Sequence, residues 1–380
     1  MSKIKYSLFI ILAIATYQNM EAQKKRTADY GIKFGILNSG RNNAITDVPG
    51  VKVGHVTITE GDSVNTGVTA IVPHQGNIFQ EKVPAAIYIG NGFGKLTGYS
   101  QVEELGNIET PVILTNTLSV PVAAEALIEY TLSLPDNAGV MSVNPVVGET
   151  NDAGLNQIRK RVITKEHVLQ AIRNAETGPV REGNTGAGTG TVCFGFKGGI
   201  GTASRILPKE RGAYTVGVLV QTNFGGILQI NGVPVGQELG KYKFSRIPDE
   251  YKEDGSCMVV IMTDAPLDSR NLKRLASRAM AGIARTGGMT SNSSGDYAVA
   301  VSTAEKNRVP YLSKTKLQDV QLLRNEEMDL LFEAVIESTE EAIINSLFAA
   351  ETTTGKYKFT IEALPVDKTI EIMKKYKRIE

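Results

Sequence analysis

The sequence predicts a layered α/β fold in which mixed β-sheets pack between helices. Apolar runs of strand length recur along the chain, at residues 68–73, 85–89, 111–116, 214–221 and 257–262. Helical periodicity appears in separate blocks toward both ends, and 38 glycines lie mostly in short clusters between the apolar runs. Strands in two groups, without regular strand–helix alternation, argue against a succession of βαβ units.

The elements follow in order. Residues 43–56 read as a turn and an alternating strand, and residues 68–73 and 85–89 as two more strands. Gly90-Asn91-Gly92-Phe93-Gly94-Lys95-Leu96 reads as a glycine-rich turn near a site; Leu96 stands where a phosphate loop needs Ser or Thr. Residues 111–116 form a strand and 121–134 a helix with Val122, Ala126, Leu127 and Tyr130 on one face. A strand is expected from Gly139 to Pro145 and a helix over 155–175. A second glycine cluster, Gly183 to Thr191, suits either an anion or peptide cradle or a close-packed hairpin. After the strand at 214–221 come a helix from Leu267 to Thr286, capped by Asp268 or Ser269, and a strand at 297–303. A last helix spans roughly 326–350, with Leu331, Ala334, Val335 and Ala342 inward.

Composition limits the function. At 380 residues and 42% apolar content the chain can bury a large core, and a net charge of +1 gives no global field for nucleic acid or an anionic membrane. Residues 1–22 have the basic start and apolar stretch of a secretory signal, with cleavage expected after Ala22. The apolar stretch is too short to span a membrane, so a secreted or periplasmic product is expected, with no membrane association after signal removal. Cys193 and Cys257 both sit in apolar strand contexts that suit core packing. His55, His74 and His167 share no metal-ligand spacing, which argues against a zinc site and against a Ser-His-Asp triad; no metal or cofactor is expected.

A serine enzyme poor in histidine needs another base, and Asp254-Gly255-Ser256-Cys257-Met258 offers one. A charged run, 246–254, stops at Gly255, and Ser256 opens an apolar strand. Ser256 Oγ can attack the Gly255 carbonyl, and hydrolysis of the ester leaves Ser256 with a free α-amine, which titrates near pH ~8. That amine can take the proton of its own hydroxyl. Asp-Gly-Ser is also an ordinary turn before a strand, so these residues alone leave both readings open.

At these residues the chain resembles the L-aminopeptidase D-amidase/D-esterase (DmpA-like) serine peptidases, which include the β-peptidyl aminopeptidases. The matching stretches are Ile45 to His55, Ser142 to Asp152, Gly183 to Gly188, Val220 to Gly225, Asp254-Gly255-Ser256 and Thr263 to Leu267. The resemblance implies a four-layer αββα sandwich, like that of N-terminal nucleophile hydrolases but differently connected. It implies one catalytic unit, 23–380, cleaved into an α-chain 23–255 and a β-chain 256–380, with such pairs assembled as homotetramers. It also implies release of small L-, D- or β-residues from short peptides, aminoacyl-amides and esters. Ser256 is then the nucleophile, Asn223 the oxyanion donor, and Ser294 and Asp296 partners of the nucleophile and its amine. Asp296 replaces the glutamate of some relatives. Glu149 and Asn151 are expected to anchor the substrate's ammonium group, or else to cap a helix beginning near Leu155.

Two other functions compete. An acyltransferase of the ornithine acetyltransferase kind shares the self-cleaving logic but uses threonine where this chain has Ser256. A non-catalytic binding protein on the same scaffold has no need of Ser256, Asn223 and Ser294, all of which are present.

Overall fold

The computed structural model describes residues 24–245 and 255–380. The signal segment expected at 1–22 and the charged run at 246–254 lie outside them.

Nine strands of five or more residues form two sheets among the described residues. They are β1 (Lys52–Glu60), β2 (Val64–Val72), β3 (Glu81–Gly92), β4 (Val112–Asn116), β5 (Val146–Thr150), β6 (Ile200–Ile206), β7 (Thr215–Asn223), β8 (Ser256–Thr263) and β9 (Gly295–Ser302). The smaller sheet runs β1-β2-β4-β5, and the larger β3-β9-β8-β7-β6, with two-residue strands added outside β3. In the larger sheet β8 is parallel to β9 and antiparallel to β7.

The principal helices are α1 (Tyr99–Leu105), α2 (Val120–Ser133), α3 (Lys165–Arg173), α4 (Ser269–Arg285), α5 (Asp329–Phe348) and α6 (Val366–Lys375). Helices α2 and α3 cover the outer face of the smaller sheet through Ala123, Leu127 and Val168 against Val68, Ala70 and Ile113. Helices α4 and α5 cover the larger sheet through Leu272, Ile283, Val335 and Ile343 against Val218, Val259 and Ile261. Between the sheets lie Val53, Ile71 and Leu114 from one and Leu219, Met258, Val260 and Val299 from the other. The result is the expected αββα sandwich. Strand alternation makes it work: in β8, Met258, Val260 and Met262 face the inter-sheet core while Cys257, Val259 and Ile261 face the helices.

One charged cluster is built into this packing. Arg205 on β6 lies beneath α5, donating from Nε to Glu337 Oε2 at 2.7 Å and from Nη1 to Glu341 Oε2 at 2.7 Å. Its remaining nitrogen, Nη2, donates to the Phe34 carbonyl at 2.8 Å. Glu337 also accepts from the amides of Ile36 and Leu37, so the cluster ties the amino-terminal segment, β6 and α5 together.

Several expected elements differ. Residues 139–145 form no strand; pairing begins at Val146, because Pro145 has no N–H for a ladder and the amide of Asn144 donates to Glu109 Oε1. The helix expected over 155–175 is the shorter α3, preceded by a 3₁₀ turn at Ile158–Lys160. Glu149 therefore lies inside a strand and neither it nor Asn151 caps a helix. The glycine-rich turn after β3 is strand as far as Gly92, and Gly98 then precedes the unanticipated α1. Strand β6 was hidden in the run Gly198 to Ser204, and α6 was not foreseen. Helix α4 begins as expected, with Asp268 Oδ1 accepting from the amide of Asn271.

Replacing Arg205 by methionine removes the counter-charge from two buried carboxylates, which costs about 3–5 kcal/mol where one partner of a buried pair is deleted. The Arg205→Met protein should unfold at correspondingly lower urea concentration; an unchanged midpoint would show that the cluster adds nothing.

Candidate active site

The first residue of β8 enters the larger sheet already paired on both sides, Ser256 standing opposite Asn223 of β7 and beside Gly295 of β9. Ser256 is buried, with its side chain on the inter-sheet face shared with Met258. Its Oγ donates to the Gly255 carbonyl oxygen at 2.5 Å, and that oxygen also accepts the Gly295 amide at 3.2 Å. The carbonyl preceding the serine is thus polarised by a main-chain donor while the hydroxyl lies against it. A methyl group on Gly255 would come within 2.8 Å of Ser294 Oγ and 3.2 Å of Ser294 Cβ, so the site has room only for glycine unless Ser294 moves.

Directly opposite residues of an antiparallel pair project to the same face, so Asn223 shares the face of Ser256. Its amide is fixed by two neighbours: Oδ1 accepts from the Val192 amide at 3.0 Å, and Nδ2 donates to the Asn151 carbonyl at 3.0 Å. This pattern settles which end carries the NH₂ group, and one of its two N–H bonds remains for a further acceptor.

Ser294 and Asp296 stand on the other face. Asp296 alternates with Ala298 and lies next to Cys257, both on the helix side of the sheet. Ser294 Oγ donates to Asp296 Oδ1 at 2.9 Å, while Oδ2 has no hydrogen-bond partner among the described residues. Burial pushes the Asp296 carboxyl from its ordinary 3.8 up to about 6, the Ser294 bond offsetting only part of the effect. The same burial, with the charge of Asp296 nearby, pushes the Cys257 thiol well up and leaves it a poor nucleophile. Asn91 Nδ2 donates to the Ser294 carbonyl and holds the 291–294 loop in place.

A third wall is set by β5. Glu149 is buried, accepting at Oε1 from the Lys95 amide at 3.2 Å and at Oε2 from the Thr117 hydroxyl. Desolvation raises its pKa, with the Thr117 and Lys95 contacts acting the other way. A methyl group on Gly94 would lie 3.0 Å from Glu149 Oε1 and 3.2 Å from the Tyr297 hydroxyl, and one on Gly295 would lie 3.1 Å from the Tyr297 ring. A continuous wall therefore runs from Glu149 past Gly94 and Tyr297 to the Gly255–Ser256 bond. Asn151 offers this site its main-chain carbonyl, because its side-chain oxygen is taken by the Ala153 amide at 3.0 Å.

The family model for peptidase family S58 matches residues 43–361. The chain belongs to peptidase family S58. It is 42% identical to a β-peptidyl aminopeptidase, BapA, of Sphingosinicella microcystinivorans, over 94% of each chain. A solved protein of Pyrococcus horikoshii OT3 superposes with a TM-score of 0.87 at 47% identity, covering 93% of this chain and 100% of that one. The L-aminopeptidase D-Ala-esterase/amidase of Ochrobactrum anthropi, described as a prototype serine aminopeptidase with a variant of the Ntn hydrolase fold, superposes at 0.86 with 36% identity, over 94% of this chain and 100% of that one. This S58 chain is accordingly an enzyme, a serine aminopeptidase on an Ntn-hydrolase-like sandwich.

The structure gathers Ser256, Asn223, Ser294, Asp296 and Gly255 around one peptide bond and sets Glu149 and the Asn151 carbonyl beside it. Sequence reading missed Gly295, Thr117, Val192 and Tyr297. A main-chain donor has no side-chain signature. Thr117 follows an expected strand with nothing to distinguish it from other polar strand ends. No three acidic, cysteine or histidine residues stand together as a metal site among the described residues.

A methyl group at Gly255 forces Ser294 aside, an overpacking cost of about 1–3 kcal/mol. The Gly255→Ala protein should unfold at correspondingly lower urea concentration, and an unchanged midpoint would contradict the tight fit against Ser294.

Proposed function

We propose that the chain cleaves itself between Gly255 and Ser256 and then acts as an exported aminopeptidase, releasing small N-terminal residues, β-aminoacyl residues among them, from short peptides and amides. The observation that carries this reading is the Ser256 hydroxyl 2.5 Å from the oxygen of a carbonyl that the Gly295 amide polarises.

In the processing step, Oγ bonds to the Gly255 carbonyl carbon as the C–N bond breaks and the hydroxyl proton passes to the departing nitrogen. Water then hydrolyses the ester, leaving a Gly255 carboxylate and a Ser256 with free hydroxyl and α-amine. In turnover the neutral amine takes the Oγ proton as Oγ attacks the substrate carbonyl. The free N–H of Asn223 Nδ2 donates to the oxyanion. The ammonium returns a proton to the leaving amine, and water releases the acyl group. Glu149 anchors the substrate's ammonium, an assignment supported by its burial and under-compensated charge. The Asn151 carbonyl adds an acceptor beside it. Ser294 and Asp296 face the nitrogen end of Ser256 and set the amine's orientation and basicity. The apolar segment at 1–22 supports export, and the family resemblance supports homotetramers of α/β pairs.

Purified wild-type protein should give two fragments, one beginning Ser256-Cys257-Met258, while Ser256→Ala stays whole; N-terminal sequencing and intact mass decide it. An uncut wild-type chain would remove the amine and with it this mechanism. Asn223→Ala in matured enzyme should lower kcat about 10²- to 10³-fold, the scale of one oxyanion donor.

The pH profile has a defined sign. A carboxylate beside an ammonium favours the protonated form, so ionised Asp296 raises the pKa of the Ser256 amine. Asp296→Asn removes that charge and should move the acid limb of kcat/KM to lower pH, by roughly 1 to 3 units for an opposite charge at close range. The pairing is reciprocal: the ammonium favours ionised Asp296, whose carboxyl burial raises to about 6 in the uncut chain, so Asp296 is charged across the range in which the amine titrates. A limb that stays or moves upward would exclude the amine as the base that Asp296 tunes.

A further inference from the structure

Beside Glu149 lies a pocket of about 400 Å³ lined by Lys95, Thr117, Leu118, Val120, Pro121 and Arg161. It adjoins the proposed ammonium anchor directly, since two of its lining residues, Lys95 and Thr117, supply the hydrogen bonds to the Glu149 carboxylate. The apolar wall of Leu118, Val120 and Pro121 leaves two cationic side chains to set its charge. Lys95 acts electrostatically on Glu149. Arg161 makes no side-chain hydrogen bond or ion pair among the described residues. Arg161 also holds a left-handed backbone, φ 50° and ψ 52°, where glycine is the less strained choice. The exposed Arg161 guanidinium lines the pocket with no partner in the protein among the described residues, which leaves it free to meet an anionic group there.

A lone ammonium approaching Glu149 meets repulsion from Lys95. A carbon carrying an ammonium and a carboxylate together satisfies all three charged groups: the ammonium on Glu149, the carboxylate between Lys95 and Arg161, where the guanidinium can hold it by two parallel bonds. An α-aminoacyl substrate lacks this arrangement, because its scissile carbonyl occupies the place of the carboxylate. A β-aspartyl residue has it, with the carbonyl under attack one methylene away and the amine on the carbon β to it. That spacing is the β-aminoacyl spacing on which the proposed function rests.

We propose that this pocket binds the α-carboxylate of an N-terminal β-aspartyl residue, and that the enzyme releases aspartate from β-aspartyl isopeptides and amides. Ser256 Oγ forms an ester with the side-chain carbonyl carbon of the aspartyl group as the amine leaves with a proton; water then cleaves the ester to free aspartate and the hydroxyl.

The test compares kcat/KM of the matured enzyme for β-aspartyl-, β-alanyl- and γ-glutamyl-p-nitroanilide, in wild type and in Arg161→Gly. Glycine suits the left-handed position, so this variant should fold at least as stably as the wild type, which thermal melting checks. The wild type should favour β-aspartyl over β-alanyl at least tenfold. In Arg161→Gly that ratio should fall about tenfold, chiefly through KM for the β-aspartyl substrate. Hydrolysis of β-alanyl without preference for β-aspartyl overturns this inference while leaving the aminopeptidase reading intact. So does a preference for γ-glutamyl, or a ratio unaltered in Arg161→Gly. Hydrolysis of none of the three by a cleaved enzyme overturns this inference together with the β-aminoacyl part of the proposed function.

Discussion

The structure depends on where strand β8 begins. Its first residue is already held between β7 and β9, so the peptide bond before Ser256 sits at the fixed start of a fully buried strand. A strand that begins at such a point brings one serine hydroxyl, one main-chain carbonyl and one neighbouring amide into register. The seven residues that follow Ser256 in the strand are buried, and they keep its position whether or not the chain remains whole. A new amine created there inherits the geometry of the amide it replaces.

Alternation then divides the chemistry between two faces. Ser256 and Asn223 look into the space between the sheets, and Asp296 looks toward α4 and α5. The main-chain nitrogen of Ser256 lies in the sheet between the two faces. The two kinds of buried carboxylate differ accordingly. Glu337 is fully compensated by Arg205 and two main-chain amides and serves the packing. Asp296 keeps an oxygen without a partner among the described residues, and Glu149 carries more desolvation than its contacts offset. Incomplete compensation is costly to the fold and useful to a site that must receive a positive charge.

How much was legible follows the same physics. Strands buried on both faces announce themselves as apolar runs, so β2, β7 and β8 were readable, and α4 was marked by its cap and its apolar stripe. Strand β6 was not, because Gly201, Thr202 and Ser204 give it neither bulk nor alternation; its burial comes from α5 lying on it. The 139–145 segment looked strand-like until its amides were needed elsewhere, as Asn144 illustrates with Glu109. Side chains at motif positions could be named from the residues that surround them. The contributions of Gly295 and Asn151 are main-chain: Gly295 is set by register beside Ser256 in the neighbouring strand, and the Asn151 carbonyl by a hydrogen bond from Asn223, 72 residues away, and no local pattern encodes them.

Three histidines are too few and too scattered to serve a serine: His55 faces Thr69, His74 the Glu81 carbonyl, and His167 caps α3. In the proposed mechanism an α-amine takes their place, and the sandwich supplies what an amine needs. Desolvation inside the sheet lowers the pKa of an amine, and a carboxylate behind it raises that pKa. The two effects oppose one another at the nitrogen of Ser256, where burial comes from β7 and β9 and the carboxylate is Asp296. Their balance can leave the amine neutral enough to accept a proton and basic enough to hold it through the attack, close to the ordinary pKa of about 8. A carboxylate whose own pKa stands near 6 suits that balance, because it is charged across the range in which the amine titrates.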